Sequence, residues 1–279
     1  MPSAGPEAKS ATLRDGTRLA YRLWGSPDAK QRVALIHSLA MDMDFWAPVA
    51  ERLAERLPDR VSVLTYDCRG HGASGKSSGP YTVALFADDL AQLMDKIGWR
   101  SAVVAGASMG GCVTLAFAAA HAPRAAAIGL FDTTAWYGAE APKQWEERAA
   151  KALAEGFDSL VAFQTTRWFG DAFHAEHPDM VQDAVTVFRR NDRAAYAEAC
   201  RMLGAADLRS ALPRMALPAA IVVGEQDYAT PLVMAEALHA GIKGSTLNVL
   251  AGARHLTPLE RPDDIAAALG ALLERAPAH

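Results

Sequence analysis

Short, largely apolar runs alternate along this chain with segments whose apolar residues recur every three or four positions. The runs are 33–36 (VALI), 61–66 (VSVLTY), 102–105 (AVVA), 126–131 (AAIGLF), 219–223 (AAIVV) and 245–250 (STLNVL). A strand apolar on both sides needs cover on both sides, which is the situation of a parallel strand between two layers of helices. Between the runs, Trp46, Val49, Ala50, Leu53 and Leu57 share one face of a helix, as do Phe86, Leu90, Leu93, Met94 and Ile97 ahead of Gly98. A last helix opens at Pro262, carries Asp263 and Asp264 in its first turn and continues through Ile265, Leu269, Leu272 and Leu273. Ahead of the first run, residues 12–14, the turn pair Asp15-Gly16 and residues 18–21 read as a β-hairpin. Residues 1–10 (MPSAGPEAKS) read as a flexible tail.

The alternation stops between Trp136 and Ser210, a helical stretch rich in Trp, Phe, Arg and Ala that contains no strand-like run. The expected architecture is therefore α/β: a mostly parallel eight-stranded sheet with helices on both faces, formed by 11–135 and 211–279, and a helical lid, 136–210, inserted after the sixth strand.

Composition narrows the function. Hydrophobic residues make up 51% and charged residues 22% of the 279, the usage of an ordinary globular protein long enough to bury its own core. A net charge of −4 argues against nucleic acid or an anionic membrane as partner. Cys68, Cys112 and Cys200 form no C-x-x-C pair and point to a reducing compartment. The N-terminus lacks the apolar run of a signal peptide. Residues 102–120 carry no charge, but Gly106, Gly110 and Gly111 divide them into a strand and a short helix, so they are buried core and not a membrane span. A soluble cytoplasmic protein is expected, and nothing in the sequence sets its oligomeric state.

Residues 70–77 (GHGASGKS) match the phosphate-binding pattern G-x-x-x-x-G-K-[ST] and follow a strand, with 126–132 available as a second nucleotide-site strand. In that site the Lys and Ser lie on the first turn of a helix whose N–H groups hold phosphate. Here Ser78-Gly79-Pro80 follows at once and stops a helix before a turn closes. Residues 70–77, with the overlapping G-x-G-x-x-G, are expected as a flexible turn beside the active site.

Gly106-Ala107-Ser108-Met109-Gly110 matches G-x-S-x-G, and it stands where that motif needs to stand, between a strand and a helix. A tight strand-to-helix turn there lifts the Ser108 hydroxyl out of the sheet and points the Met109 N–H toward a developing oxyanion. The base should follow in a loop after a late strand, and His255 fits; His239 falls in a helix pattern and His279 is the last residue. Asp227, after strand 219–223, is the expected acid, with Asp132 after 126–131 as its rival. Serine alone is a poor nucleophile near neutral pH; it needs a base to take its proton and a carboxylate to orient that base.

The loop after 33–36 should supply the second oxyanion donor, the N–H of Leu39. His37 and His71 read as loop scaffold and Cys112 as helix packing. His174 and His177 lack a third ligand, so no metal site is expected; they read as exposed lid residues. A substrate carboxylate buried in the pocket would require a cation, for which the lid offers Arg148 or Arg167. Arg148, within Glu146-Glu147-Arg148, reads as a solvated helix face, whereas Arg167 adjoins Trp168 and Phe169, whose rings could wall the pocket.

These residues resemble the α/β-hydrolase superfamily, and within it the 3-oxoadipate enol-lactonase family. The resemblance runs from about residue 12 to 272. It includes Tyr66-Asp67, residues 69–74, Gly79-Pro80-Tyr81, Ser108-Met109-Gly110-Gly111, Arg167-Trp168-Phe169, residues 195–209, residues 224–231 and residues 255–262. It implies the α/β-hydrolase fold and a cofactor-free serine hydrolase acting through an acyl-enzyme on a small lactone or ester, 3-oxoadipate enol-lactone or a related anionic lactone, in the breakdown of aromatic compounds. Carbon–carbon bond hydrolysis and general carboxylesterase activity are the enzymatic rivals; a non-catalytic small-molecule receptor and a nucleotide hydrolase are rivals of other classes. Ser108 in the nucleophile position excludes the haloalkane and epoxide chemistry of an aspartate. The chain departs from the family at His37-Ser38-Leu39-Ala40, where Asn-Ser-Leu-Gly is usual, at Ala107, where Leu is usual, and at Trp136-Tyr137, which stand as bulky residues at the expected pocket roof.

Overall fold

The computed structural model describes residues 5–277. Eight strands form one sheet: β1 (Lys9–Thr12), β2 (Arg18–Gly25), β3 (Gln31–Ile36), β4 (Val61–Tyr66), β5 (Ala102–Ala107), β6 (Ala125–Phe131), β7 (Ala219–Gly224) and β8 (Thr246–Leu250). Their order across the sheet is β1-β2-β4-β3-β5-β6-β7-β8, with β1–β2 and β2–β4 antiparallel and every later pair parallel. The central strands β4, β5, β6 and β7 are buried at every position, as strands covered on both faces must be, and in β4 this includes Ser62 and Thr65. The edge strand β8 is different: only Leu250 of its five residues is buried. That corrects the expectation that all six runs are covered on both faces.

The tail expectation also needs correction. Residues 1–4 lie outside the described residues, but Lys9 and Ser10 are already in β1, paired with Tyr21 and Ala20. An exposed edge strand can be polar on both faces, so its sequence has no apolar alternation to announce it.

Six helices flank the sheet: α1 (Ala47–Arg56), α2 (Val83–Lys96), α3 (Met109–Ala120) and, after an insertion, α9 (Leu232–Gly241), the short α10 (Thr257–Glu260) and α11 (Pro262–Arg275). α1 packs on α11 and α2 on α3. α3, buried along Met109–Ala118, is the most enclosed, which explains why its sequence is apolar all round and not striped. The insertion between β6 and β7 comprises α4 (Ala141–Glu155), α5 (Asp158–Trp168), α6 (Asp171–Glu176), α7 (Pro178–Arg189) and α8 (Arg193–Ala205), with α4 against α8 as its main internal contact. Residues 102–120 divide into β5 and α3, and no helix of the described residues is long and apolar enough to cross a membrane.

The GHGASGKS segment forms turns, and the next helix, α2, begins only at Val83, beyond Gly79-Pro80. Lys76 is thus on no helix, and the phosphate-site geometry does not form. Nor is the segment a loose turn beside the main cavity. Arg69, almost fully buried, donates to both carboxylate oxygens of Asp89 at 2.6 and 2.8 Å, to Asp15 at 2.7 Å and to Ser77 Oγ at 2.8 Å. Asp67 accepts from the N–H of Met43 at 2.6 Å and of Ala73 at 2.7 Å, stitching the turns to the loop after β3.

Candidate active site

The site is built where β5 turns into α3. Ser108 stands at φ 52°, ψ −114°, a strained left-handed conformation for a residue with a side chain. The turn is so tight that a Cβ on Gly106 would lie 2.1 Å from the Gly110 carbonyl oxygen, and a Cβ on Gly110 would lie 2.1 Å from the carbonyl oxygen of Ile36. Both glycines of the motif are therefore sterically required. Met109 is the first residue of α3, so its N–H has no partner within the helix.

His255 and Asp227 come to this turn from two neighbouring loops, after β8 and β7. His255 Nε2 lies 2.9 Å from Ser108 Oγ, and His255 Nδ1 lies 2.8 Å from Asp227 Oδ2. Asp227 also accepts from the N–H groups of Ala229 (2.7 Å) and Thr230 (2.9 Å) and from Thr230 Oγ1 (2.8 Å). Burial works against its charge, yet His255 and these bonds outweigh burial and hold the carboxyl below its ordinary range. For His255, burial acts to lower the pKa, but the Asp227 charge and hydrogen bond prevail and raise it.

Asp132, the rival acid, is fully buried but turned elsewhere: it accepts from the Gly224 N–H at 3.0 Å, the Thr257 N–H at 3.1 Å and Thr257 Oγ1 at 2.5 Å. It ties β6 to β7 and to the segment just after His255. Burial and the negative charge of Asp227 push it well above the ordinary carboxylate range.

Leu39 lies beside Ser108 at the cavity wall. Its loop is shaped by His37, whose Nε2 accepts from the Cys68 N–H at 2.9 Å while Nδ1 bonds the Ser38 carbonyl at 2.7 Å. Burial lowers His37 to about 4, so the ring is neutral scaffold. His71, lowered by burial to about 3, bonds the Arg69 carbonyl through Nδ1 at 3.0 Å and packs edge-on against His37. Cys112 donates to the Thr134 carbonyl at 3.3 Å.

Ser108 and His255 open into a cavity of about 580 Å³, a volume suited to a small molecule. The inserted helices supply one wall, including Arg148, Lys151, Gln164, Arg167 and Trp168. Arg167 lies 4.0 Å over the Phe163 ring. Arg148 is not the solvated helix-face residue expected: it is half-buried, donates to Tyr196 Oη at 2.7 Å and stacks on Trp145. Burial and the positive charge of Arg148 both lower the pKa of Arg167. Among the described residues neither arginine has an ion-pair partner.

Trp136 does not line this cavity. Its ring packs under Arg209, 3.7 Å from the guanidinium carbon, and its backbone bridges to Asp207. Its neighbour Tyr137 takes the place at the wall. His174 is half-buried, with Nε2 3.1 Å from the Thr165 carbonyl, His177 is exposed against Phe173, and His279 lies outside the described residues. Among the described residues no group of three or more His, Cys, Asp or Glu side chains could hold a metal ion.

Two contributions escaped the sequence reading. Thr230 clamps Asp227, and its signal was local: a hydroxyl residue three positions after a loop aspartate readily caps it. The end of α5 holds the histidine loop through main-chain bonds, His255 N–H to the Arg167 carbonyl (3.3 Å) and Leu256 N–H to the Trp168 carbonyl (3.0 Å), which side-chain types do not reveal.

Comparison with known proteins places this arrangement. Residues 33–268 match the model of the Alpha/beta hydrolase family. The chain is 31% identical to 3-oxoadipate enol-lactonase 2 of Acinetobacter baylyi over 96% of its own length and 97% of the relative's. Among solved structures, the enol-lactonase from Burkholderia xenovorans LB400 superposes with a TM-score of 0.89 at 33% identity, covering 95% of this chain and 100% of that one. A thermophilic esterase from Thermogutta terrifontis, solved with malate bound, gives a TM-score of 0.88 at 27% identity over 96% and 98% of the two chains.

Proposed function

We propose that this chain, which belongs to the alpha/beta hydrolase family and is a carboxylic ester or lactone hydrolase, works through a serine acyl-enzyme on a small anionic lactone. The observation that carries the reading is the unbroken line of hydrogen bonds from Asp227 through His255 to Ser108 at the floor of the cavity. Ser108 Oγ attacks the carbonyl carbon as its proton passes to His255 Nε2. The C–O bond of the lactone then breaks, its electron pair stays on the leaving oxygen, and that oxygen takes the proton from His255. A water molecule, deprotonated by the same imidazole, attacks the acyl carbon and releases the acid, returning the proton to Ser108. Asp227 stays ionised throughout, orienting the ring and stabilising the imidazolium. The N–H groups of Leu39 and Met109 serve as the oxyanion donors.

The substrate we infer is 3-oxoadipate enol-lactone or a related lactone bearing a carboxylate. Arg148 and Arg167 support this, since two unpaired guanidiniums at one wall repel each other until an anion arrives. Trp168 contributes the apolar part of that wall, and the insertion acts as the lid. A turnover screen over enol-lactones, saturated lactones and neutral short-chain esters, run with wild type and Ser108→Ala, tests both halves. Loss of all turnover in Ser108→Ala with the melting temperature kept is expected, as is a preference for the anionic lactones. Ser108→Ala activity within tenfold of wild type would falsify the serine mechanism, and equal turnover of neutral esters would make the protein a general carboxylesterase.

A further inference from the structure

Tyr137 carries a hydroxyl that the mechanism above does not use. The residue lines the cavity together with Ser108 and His255, and its ring is held edge-on by Trp145 at 5.3 Å. Its Oη is closed to bulk water and, among the described residues, makes no well-formed hydrogen bond. Leaving a buried hydroxyl without a partner costs free energy, so its position calls for a partner that forms at another stage. Ser108, which shares the cavity wall, and Cys112 are polar side chains near enough to interact with it. Cys112 already donates its S–H to the Thr134 carbonyl and offers only a weakly accepting sulfur. Ser108 Oγ, in contrast, gives its one proton to His255 Nε2 and keeps two lone pairs. Burial holds the Tyr137 phenol well above its usual range, so the group stays protonated and acts as donor.

We propose that Tyr137 is a further catalytic residue, donating a hydrogen bond to Ser108 Oγ whenever that oxygen gains negative charge. In acylation this happens as Oγ loses its proton to His255 and attacks. In deacylation Oγ is itself the leaving atom, taking the electron pair of the breaking ester bond before it recovers the proton from His255. Tyr137 keeps its own proton in both steps, so no charge or mass is left over. The two oxyanion donors serve the substrate's carbonyl oxygen; Tyr137 serves the enzyme's oxygen. This inference rests on the serine mechanism proposed above.

The test is Tyr137→Phe, which removes one oxygen that makes no well-formed hydrogen bond in the resting enzyme and should leave the melting temperature unchanged or raise it. Two rates are read: turnover of the best lactone, and irreversible inactivation by a small fluorophosphonate, which needs only the nucleophilicity of Ser108. Both should fall by about ten- to a hundredfold, the size of one hydrogen bond to a charged oxygen, with KM within about twofold of wild type. Fluorotyrosine at position 137, a stronger donor, should restore both rates. Inactivation unchanged, a rise in KM alone, or a loss that follows a fall in melting temperature and is not rescued by fluorotyrosine each overturns the role. Ser108→Ala run alongside separates the two readings: if it stays active the serine mechanism fails, and if it is dead while Tyr137→Phe matches wild type only the tyrosine's role fails.

Discussion

Thr257 Oγ1 donates to Asp132 Oδ2 at 2.5 Å, although the two residues are 125 positions apart in the chain. That bond makes Asp132, the rival of Asp227 in the sequence, a clamp on the segment that begins two residues after His255. Asp132 accepts three hydrogen bonds, one from Gly224 and two from Thr257, whereas Asp227 faces the imidazole.

The two aspartates should therefore fail differently. Asp227→Asn should lose turnover by a factor on the order of 10⁴, with the fold intact, because the amide cannot orient and stabilise an imidazolium. Asp132→Asn should cost about 1–3 kcal/mol of stability, since its amide N–H₂ would face a donor in a buried site, and far less in turnover. Chemical denaturation and steady-state kinetics on both variants decide it. A worse turnover in Asp132→Asn than in Asp227→Asn means that the acid is misassigned.

The same geometry sets a pH signature. The Asp227 carboxylate raises the pKa of His255 above the 6.5 of a free imidazole despite its burial. Only neutral imidazole can accept the Ser108 proton, so kcat/KM should fall on acidification with a midpoint above 6.5. Stability runs the other way: a group whose folded pKa is raised contributes stability fully present below its unfolded pKa and lost as pH rises through the folded one. The contribution of protonated His255 should thus be present on the acidic side, where activity is low, as long as Asp227 stays ionised, and fade where activity appears. In Asp227→Asn the acidic limb of the residual activity should move down. A limb that does not move assigns it to another group.

The sheet was legible because its central strands are buried on both faces, so that burial and apolar sequence coincide from Ala219 to Val223 and, except at the buried Ser62 and Thr65, from Val61 to Tyr66. Where burial is one-sided or absent, at β1 and β8, the pattern weakened and the reading with it. The turn at Ser108 was legible for a steric reason: glycine is the only residue that fits at 106 and 110. Side-chain direction was not legible. Adjacent residues Trp136 and Tyr137 leave the chain on different sides, one under Arg209 and the other at the cavity wall, and no local rule separates them. Arg148 likewise looked solvated from its acidic neighbours, but α4 packs on α8 and carries it to Tyr196.

Glycine substitutions test the steric part of this account. Gly110→Ala should cost about 3 kcal/mol, because its Cβ would sit 2.1 Å from the Ile36 carbonyl oxygen and backbone must move. Gly270→Ala, inside α11 with nothing within 4 Å of the new Cβ, should instead stabilise by about 0.5–1 kcal/mol through helix propensity. Urea titrations of the pair give the comparison. Equal stabilities would mean that the turn at Ser108 is looser than its contacts indicate.

The cavity wall that carries Arg148 and Arg167 yields the sharpest separation of binding from structure. Arg167 has two functions in the fold: its guanidinium faces the cavity, and its carbonyl oxygen accepts the His255 N–H at 3.3 Å. Arg167→Ala removes the first and keeps the second, since the main chain remains. KM for an anionic lactone should rise by about one to two orders of magnitude, the size of a lost charge-assisted hydrogen bond, with kcat little changed. A neutral short-chain ester should be hydrolysed almost as by wild type. Arg148→Ala is the informative contrast, because it also removes the bond to Tyr196 and the stacking on Trp145, so it should lower the melting temperature as well as weaken anion binding. If Arg167→Ala slows both substrates equally, the guanidinium supports the loop that carries His255 and does not select for charge.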